Sequence, residues 1–223
     1  MAATGQDFEL IYADESLLVL NKPAGLLAVP GRGEDKQDCL SSRVQQHYPD
    51  ALIVHRLDMA TSGLMLMARG IVMQRALGQS FESRAVHKRY IAVVDGRLDS
   101  RLLPPESPDG WGLIDLPIVV DWPRRPLRII DAARGKPSQT RWRAVAFDEA
   151  ASSTRVELEP VTGRSHQLRV HLQALGHPIV GDTLYAPAAV QARAPRLLLH
   201  ACALRLEHPA SGTLLSFESA PGF

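Results

Sequence analysis

One aspartate, Asp58, lies beside an arginine in the stretch His55-Arg56-Leu57-Asp58-Met59-Ala60-Thr61-Ser62-Gly63, which follows neither a helical nor a strand period. A neighbouring cation favours the charged form of a carboxylate, so such an aspartate stays ionised. Held in a loop beside a buried element, it could attack an electrophilic sugar or base carbon. The same Arg-x-Asp triplet also serves as an ordinary surface ion pair. Three other side chains have the right chemistry: Tyr90, and the loop arginines Arg56 and Arg164. Arg164 precedes a helix start, where backbone N–H groups favour an anion, or it is a plain loop charge.

Other chemistries are set aside by spacing. The chain has no P-loop, no G-x-G-x-x-G and no H-E-x-x-H. His166 and His171 do not share a helical face as metal ligands would, so a structural or solvated role suits each. Gly163-Arg164-Ser165-His166 departs from the hydrolase G-x-S-x-G elbow in the place of its serine and in its missing second glycine. A glycoside hydrolase normally needs two carboxyl groups, and no convincing second one accompanies Asp58.

The elements that must position these groups read as an α+β chain. Phe8 to Ala13 and Leu17 to Leu20 are short strands, and Asn21 to Gly31 is a strand broken by proline and glycine, where Lys22 lines a cleft or is solvated. Asp38 caps a helix through Leu40, Val44 and His47 that ends at Pro49. Thr61-Ser62-Gly63 forms a turn before the buried strand Leu64 to Ala68, and Ile71 to Ser83 is an amphipathic helix using Val72, Ala76, Leu77 and Phe81. In the strand His87 to Gly96, Tyr90, Ala92 and Val94 share a face. A long loop from Arg97 to Gly112 leads to strands at Leu113 to Val120, Leu127 to Ile130, Thr140 to Phe147 and Thr154 to Glu159. Ser165 caps a helix carrying Leu168, Leu172 and Leu175, closed by Gly176. Leu197 to Leu206 and Leu214 to Phe217 form a last strand pair.

At 223 residues the chain can bury a sizeable core without a staple. Cys39 and Cys202 stand far apart with no ligand spacing, which fits a reducing cytoplasm. No leader or membrane-length apolar run is present. The formal net charge is only +1, but its distribution is uneven. Met1 to Asp50 holds eight acids against four bases. Arg124 to Arg143 holds seven bases, Arg124 and Arg125 among them, against Asp131 alone, and includes Trp142. A basic surface with an embedded aromatic would attract a phosphate backbone, and an ordinary solvated strand face has the same composition.

Four stretches in order, Asn21-Lys22-Pro23-Ala24-Gly25, His55 to Gly63, Lys88-Arg89-Tyr90-Ile91-Ala92 and Gly163-Arg164-Ser165-His166-Gln167-Leu168-Arg169-Val170-His171, together with Leu199-His200-Ala201 and His208-Pro209, resemble the RluA-type pseudouridine synthases. That resemblance implies an RNA-uridine isomerase needing no metal or cofactor. It implies one catalytic domain over 1–223 with no separate S4 domain, and a mixed, mainly antiparallel central sheet flanked by helices and loops around one RNA-binding cleft. Asp58 matches the family nucleophile, Tyr90 the tyrosine that stacks on the uracil, and Arg164 the arginine that pairs with the aspartate. Arg56 matches the residue that fills the space of the flipped nucleotide. His55 and Lys22 fall within the same motifs and are expected, with Arg124 and Arg125, to contact the RNA, and Leu168 matches a pocket wall. Asp121-Trp122-Pro123 points to the branch acting on both 23S rRNA and tRNA, in which case the partners are those RNAs and the protein is a cytoplasmic monomer. A catalytically silent RNA-binding protein on the same fold, and an N-glycosidase, are the competing readings.

Overall fold

The computed structural model describes residues 7–98 and 110–223. Two compact units divide the chain: Met1–Lys88 with His200–Gly222, and Arg89–Leu199 with Phe223.

The first unit is built on an almost wholly buried strand, β4 (Ser62–Arg69). Its run of Leu64, Met65, Leu66, Met67 and Ala68 has no polar face, so it must be covered on both sides. Along one edge it pairs antiparallel with β2 (Leu17–Lys22), which in turn pairs with β1 (Glu9–Ala13). Elsewhere along its length it pairs in parallel with β11 (Leu199–Glu207) at Ser62 and Gly63, and antiparallel with β3 (Ala51–Ile53) from Met67 to Arg69. β12 (Leu214–Glu218) extends β11. Helix α2 (Gly70–Glu82) packs Leu77, Met73 and Phe81 on the cluster formed by Leu17, Val19, Leu64, Leu66, Leu204 and Leu206. Burying each such leucine stabilises the fold by about 1.5–3 kcal/mol. Val72, expected on the packed face, is exposed instead.

Three local expectations are corrected here. Residues 23–29 form turns with one isolated bridge, Leu27 to Cys39, because Pro23 and Gly25 break strand pairing at once. Helix α1 (Leu40–Gln45) is capped by Cys39, whose Sγ accepts the Ser42 N–H, while Asp38 forms an exposed ion pair with Arg43; His47 and Pro49 lie past its end. Ser62 and Gly63 belong to β4, and the turn precedes them, with the Thr61 N–H donating to the Asp58 carbonyl at 3.0 Å.

The second unit is an antiparallel run, β5 (His87–Asp95), β10 (Ser153–Pro160), β9 (Gln139–Asp148) and β6 (Gly112–Asp115), in that spatial order. Tyr90, Ala92 and Val94 are buried on one face of β5 as their alternation requires. The strand expected from Leu113 to Val120 is split at Leu116-Pro117, and its second half, β7 (Ile118–Val120), pairs with β8 (Arg128–Ile130). Helix α3 (Gln167–Ala174) ends at Gly176, whose φ of +83° suits glycine. A single turn, α4 (Ala188–Gln191), was not expected. Of the long loop from Arg97 to Gly112, residues 99–109 lie outside those described. The architecture is α+β with a mixed, mainly antiparallel pairing pattern.

Gly63 is the tightest point in the first unit. Its φ is +111°, and an added Cβ would lie 2.6 Å from the Ala201 nitrogen and closer still to that residue's carbonyl oxygen. Gly63→Ala is therefore expected to cost about 2 kcal/mol or more. Gly78, inside α2 with open space around it, should behave oppositely: Gly78→Ala should gain about 0.5–1 kcal/mol. Urea unfolding midpoints check both, and an unaltered midpoint for Gly63→Ala would refute the packing argument.

Candidate active site

In the first unit, the Asp58 loop is fixed by its neighbour in sequence. The Met59 carbonyl accepts two hydrogen bonds, from the Gly25 N–H at 2.8 Å and from Lys22 Nζ at 3.1 Å. Lys22 lies at the end of β2 and is completely buried. Its ammonium also donates to the carbonyls of Pro23 and Leu26, both at 2.8 Å. Three acceptors match the three N–H bonds of a charged lysine. Burial pulls its pKa down to about 8, and the charge of Asp58 pulls it back up. Lys22 is thus neither solvated nor a cleft-lining cation; it is an internal tie between the 21–26 turn and the residue after Asp58. Hydrogen bonds to a charged donor contribute about 1.5–3 kcal/mol each, which offsets the several kcal/mol of burying the charge.

His55 is turned into the protein. Its ring stacks on Phe81 with centroids 4.6 Å apart, and Nε2 accepts the Leu66 N–H at 2.9 Å. Leu66 sits on β4 between the positions that pair with β11 and those that pair with β3, so the imidazole supplies an acceptor where neither strand does. An Nε2 that accepts from a backbone amide must be unprotonated, and burial, aided by the nearby Lys88 charge, lowers the His55 pKa to about 3. Arg56, by contrast, is exposed, and Met59 stands half out of the surface.

The hydrogen bond between Ser62 and His200 was not expected, although both residues lay in motifs read from the sequence. Ser62 Oγ and His200 Nδ1 are 2.9 Å apart, and His200 Nε2 reaches the carbonyl and hydroxyl of Ser219 at 3.1 Å. This buried chain ties the strand that begins four residues after Asp58 to β11 and the C-terminal segment.

The second unit carries Tyr90, Arg164, Leu168, Arg124 and Arg125. Tyr90 is buried on β5 opposite Leu158, and Leu168 is buried in the first turn of α3. Arg164 is exposed, on a turn held by Gln167. The Gln167 Oε1 accepts the Arg164 N–H at 3.0 Å and the Thr162 hydroxyl at 2.7 Å, while its Nε2 donates to the Gln139 carbonyl and Thr140 Oγ1. Ser165 does not cap α3. That position falls to His166, in a left-handed conformation with φ +58°, and the Arg164 N–H is bonded to Gln167. His166 Nδ1 lies 2.6 Å from the Tyr185 hydroxyl, which also accepts the Arg128 N–H at 2.9 Å. Burial raises the Tyr185 pKa, so the phenol stays neutral in this pair. Beneath this, Arg169 and the wholly buried Asp182 form a two-bond ion pair at 2.6 and 2.8 Å, and Asp182 also accepts the Leu184 and Tyr185 amides.

Four of the seven bases in the stretch from Arg124 to Arg143 form ion pairs, two of them across strands and two within turns. Arg141 pairs with Glu159, Arg143 with Glu157, Arg134 with Asp131 and Arg124 with Asp121. Glu157 and Glu159 come from β10, too distant in sequence to enter a local count. Trp142, taken as an aromatic available to nucleic acid, is a buried core residue, because its place on β9 points it inward. His171 is structural, set between Thr140 Oγ1 and the Leu116 carbonyl. Among the described residues no cluster of three histidine, cysteine or acidic side chains could hold a metal ion, and no helix is long and apolar enough to cross a membrane.

Two outcomes follow. In Lys22→Met the Pro23 and Leu26 carbonyls lose their partner, so unfolding free energy should fall by about 2–4 kcal/mol and the Gly25 amide should exchange faster in hydrogen-exchange experiments. Unchanged exchange there would rule out the tie. For His55 the unfolded chain takes up a proton near the ordinary value of 6.5, whereas the folded chain resists until about 3. Its contribution to stability is therefore complete above 6.5 and declines as pH falls through that window. In His55→Gln, which retains an acceptor for Leu66, the stability measured by urea unfolding should depend less steeply on pH across the window; an equal slope would contradict the assignment.

The sequence pattern of RNA pseudouridylate synthases matches residues 16–174. The dual-specificity RNA pseudouridine synthase RluA of Escherichia coli (strain K12) is 46% identical over 214 residues, covering 96% of this chain and 93% of that protein. The RluA of Yersinia pestis is 45% identical over 214 residues, covering 96% and 99%. Among solved structures, human RNA Pseudouridylate Synthase Domain Containing 1 superposes with a TM-score of 0.77 at 26% identity, over 100% of this chain and 87% of that one. Human RNA Pseudouridylate Synthase Domain Containing 4 gives 0.71 at 25% identity, over 95% and 88%. With the pattern spread over most of the chain and relatives aligned along nearly its whole length, the protein belongs to the RNA pseudouridylate synthase family and is an isomerase that modifies RNA.

Proposed function

We propose that this enzyme converts particular uridines to pseudouridine in two classes of structured RNA, a 23S rRNA hairpin and a tRNA anticodon stem-loop. The dual specificity stated in the names of relatives 46% identical supports the pair of substrates. The reaction breaks the N1–C1′ bond, turns the uracil and forms a C5–C1′ bond. N1 gains a proton, C5 loses one, and no water is consumed, so a single carboxylate suffices and neither metal nor cofactor is required. Asp58 is the nucleophile. Tyr90 stacks on the uracil and is placed to carry a proton, Arg164 pairs with the aspartate, and Arg56, exposed two residues before Asp58, fills the gap left by the extruded nucleotide. Leu168 contributes an apolar wall. Arg124 and Arg125 meet the phosphate backbone, and the enzyme works as a cytoplasmic monomer, its two compact units forming one catalytic domain.

The observation that carries the assignment is the fixing of the Asp58 loop by Lys22 and Gly25 through the Met59 carbonyl, since a nucleophile must be held in place before it can act. In Asp58→Asn, pseudouridine formation in an anticodon stem-loop transcript should fall at least about a thousandfold while RNA binding persists. Retained conversion would remove Asp58 from the nucleophile's role, and release of free uracil by the wild-type protein would mark an N-glycosidase instead.

A further inference from the structure

Two tryptophans in the second unit carry arginines on their rings, and they differ in what they offer to solvent. Trp111 lies half-buried beside Arg141 and Arg143, whose guanidinium carbons are 5.0 and 4.9 Å from its ring centroid, and both arginines are held by glutamates of β10. Trp122 is 63% exposed. The Arg125 guanidinium lies 3.8 Å from its ring centroid, and its Nε donates to the Trp122 carbonyl at 3.4 Å. An indole left in water forfeits most of its hydrophobic stabilisation, so its exposure calls for a partner.

The turn that bears it is rigidly built. Between β7 and β8, the Asp121 N–H donates to the Leu127 carbonyl and the Leu127 N–H to the Arg124 carbonyl, both at 3.0 Å. Buried Asp121 grips Arg124 from below at 2.6 Å, leaving the Arg124 side chain 70% exposed. The carboxylate is thereby hidden while the cations face outward. At the foot of the turn the Tyr185 hydroxyl accepts the Arg128 N–H and bonds His166, two residues from Arg164. Ile118, Leu127, Ile130, Val170 and Tyr185 pack together beneath it. A fixed aromatic plane, backed by one guanidinium and flanked by another, has the chemistry of a base-stacking platform beside a phosphate contact.

We propose that Trp122 stacks on an unpaired nucleobase in the loop of the substrate RNA, with Arg125 holding the indole in its stacking orientation and Arg124 meeting the adjoining phosphate. This rests on the substrate reading above and adds the residue that recognises looped rather than paired RNA. Every nucleobase has a π-face, so the contact tolerates both substrates while favouring loops over duplex.

The test compares wild type, Trp122→Ala and Trp122→Phe on an anticodon stem-loop transcript and on the blunt duplex of its stem. Trp122→Ala should bind the stem-loop roughly ten- to a hundredfold more weakly and the duplex unchanged, with an unaltered unfolding midpoint because the side chain is exposed. Trp122→Phe, which keeps a stacking face, should stay within about threefold of wild type. Arg124→Gln, which removes the proposed phosphate contact, should lower the slope of log affinity against log salt by about one. If wild type converts the stem-loop and Trp122→Ala binds and converts it equally well, the stacking platform is refuted and the substrate reading stands. If wild type neither binds nor converts the stem-loop, both fall.

Discussion

A buried ammonium fixes the geometry of the Asp58 loop. Lys22 has no access to water, yet its three N–H bonds are matched by three backbone carbonyls, one of which belongs to the residue after Asp58. Burial disfavours the charge, and the Asp58 carboxylate restores part of what burial removes. The arrangement couples the two groups. The buried lysine gains a counter-charge from Asp58, while its own three N–H bonds go to backbone carbonyls. An arginine could not serve here, since its planar fork presents five donors to a site built for three converging ones.

The second unit uses the same device with neutral groups. Around Arg164 the backbone has no helix cap or sheet ladder, and a single amide side chain, Gln167, accepts from the Arg164 N–H while its own backbone N–H donates to the Arg164 carbonyl. The left-handed His166 stores strain of order 1–3 kcal/mol, which the Tyr185 hydrogen bond and the Arg169–Asp182 pair beneath it sustain. In both units side chains hold irregular backbone that secondary structure does not. Strained, over-determined loops of this kind are what preorganised chemistry requires.

Strand and helix content was readable because it follows periodicity: β4 from its unbroken apolar run, β5 from the alternation of Tyr90, Ala92 and Val94, α2 from its spacing. The ordered motifs were equally readable, since they are sequence by nature. What could not be read was any relation between residues far apart. Ser62 gives no local sign that it meets His200, nor Arg143 that it meets Glu157, and capping by Cys39 and His166 breaks the preferences that favoured Asp38 and Ser165. Lys22 misled for a physical reason: lysines are almost never fully buried, so a solvated or cleft-lining place was the rational expectation.

The tryptophans show how the same limit acts on function. Trp142 sits within the most basic stretch and is core, whereas Trp122 stands just before that stretch and is exposed. Alternation along β9 decides the first, and a turn closed by a buried aspartate decides the second. Charge follows the same division. Cross-strand glutamates pair with the arginines of β9, while the 121–127 turn presents Arg124, 70% exposed above its buried aspartate. An evenly basic surface would bind any phosphate backbone, and each phosphate neutralised adds affinity without information. A cation on a rigid turn beside an exposed aromatic plane couples electrostatic attraction to a place where shape can also be read, the pairing that the proposed preference for looped over paired RNA requires.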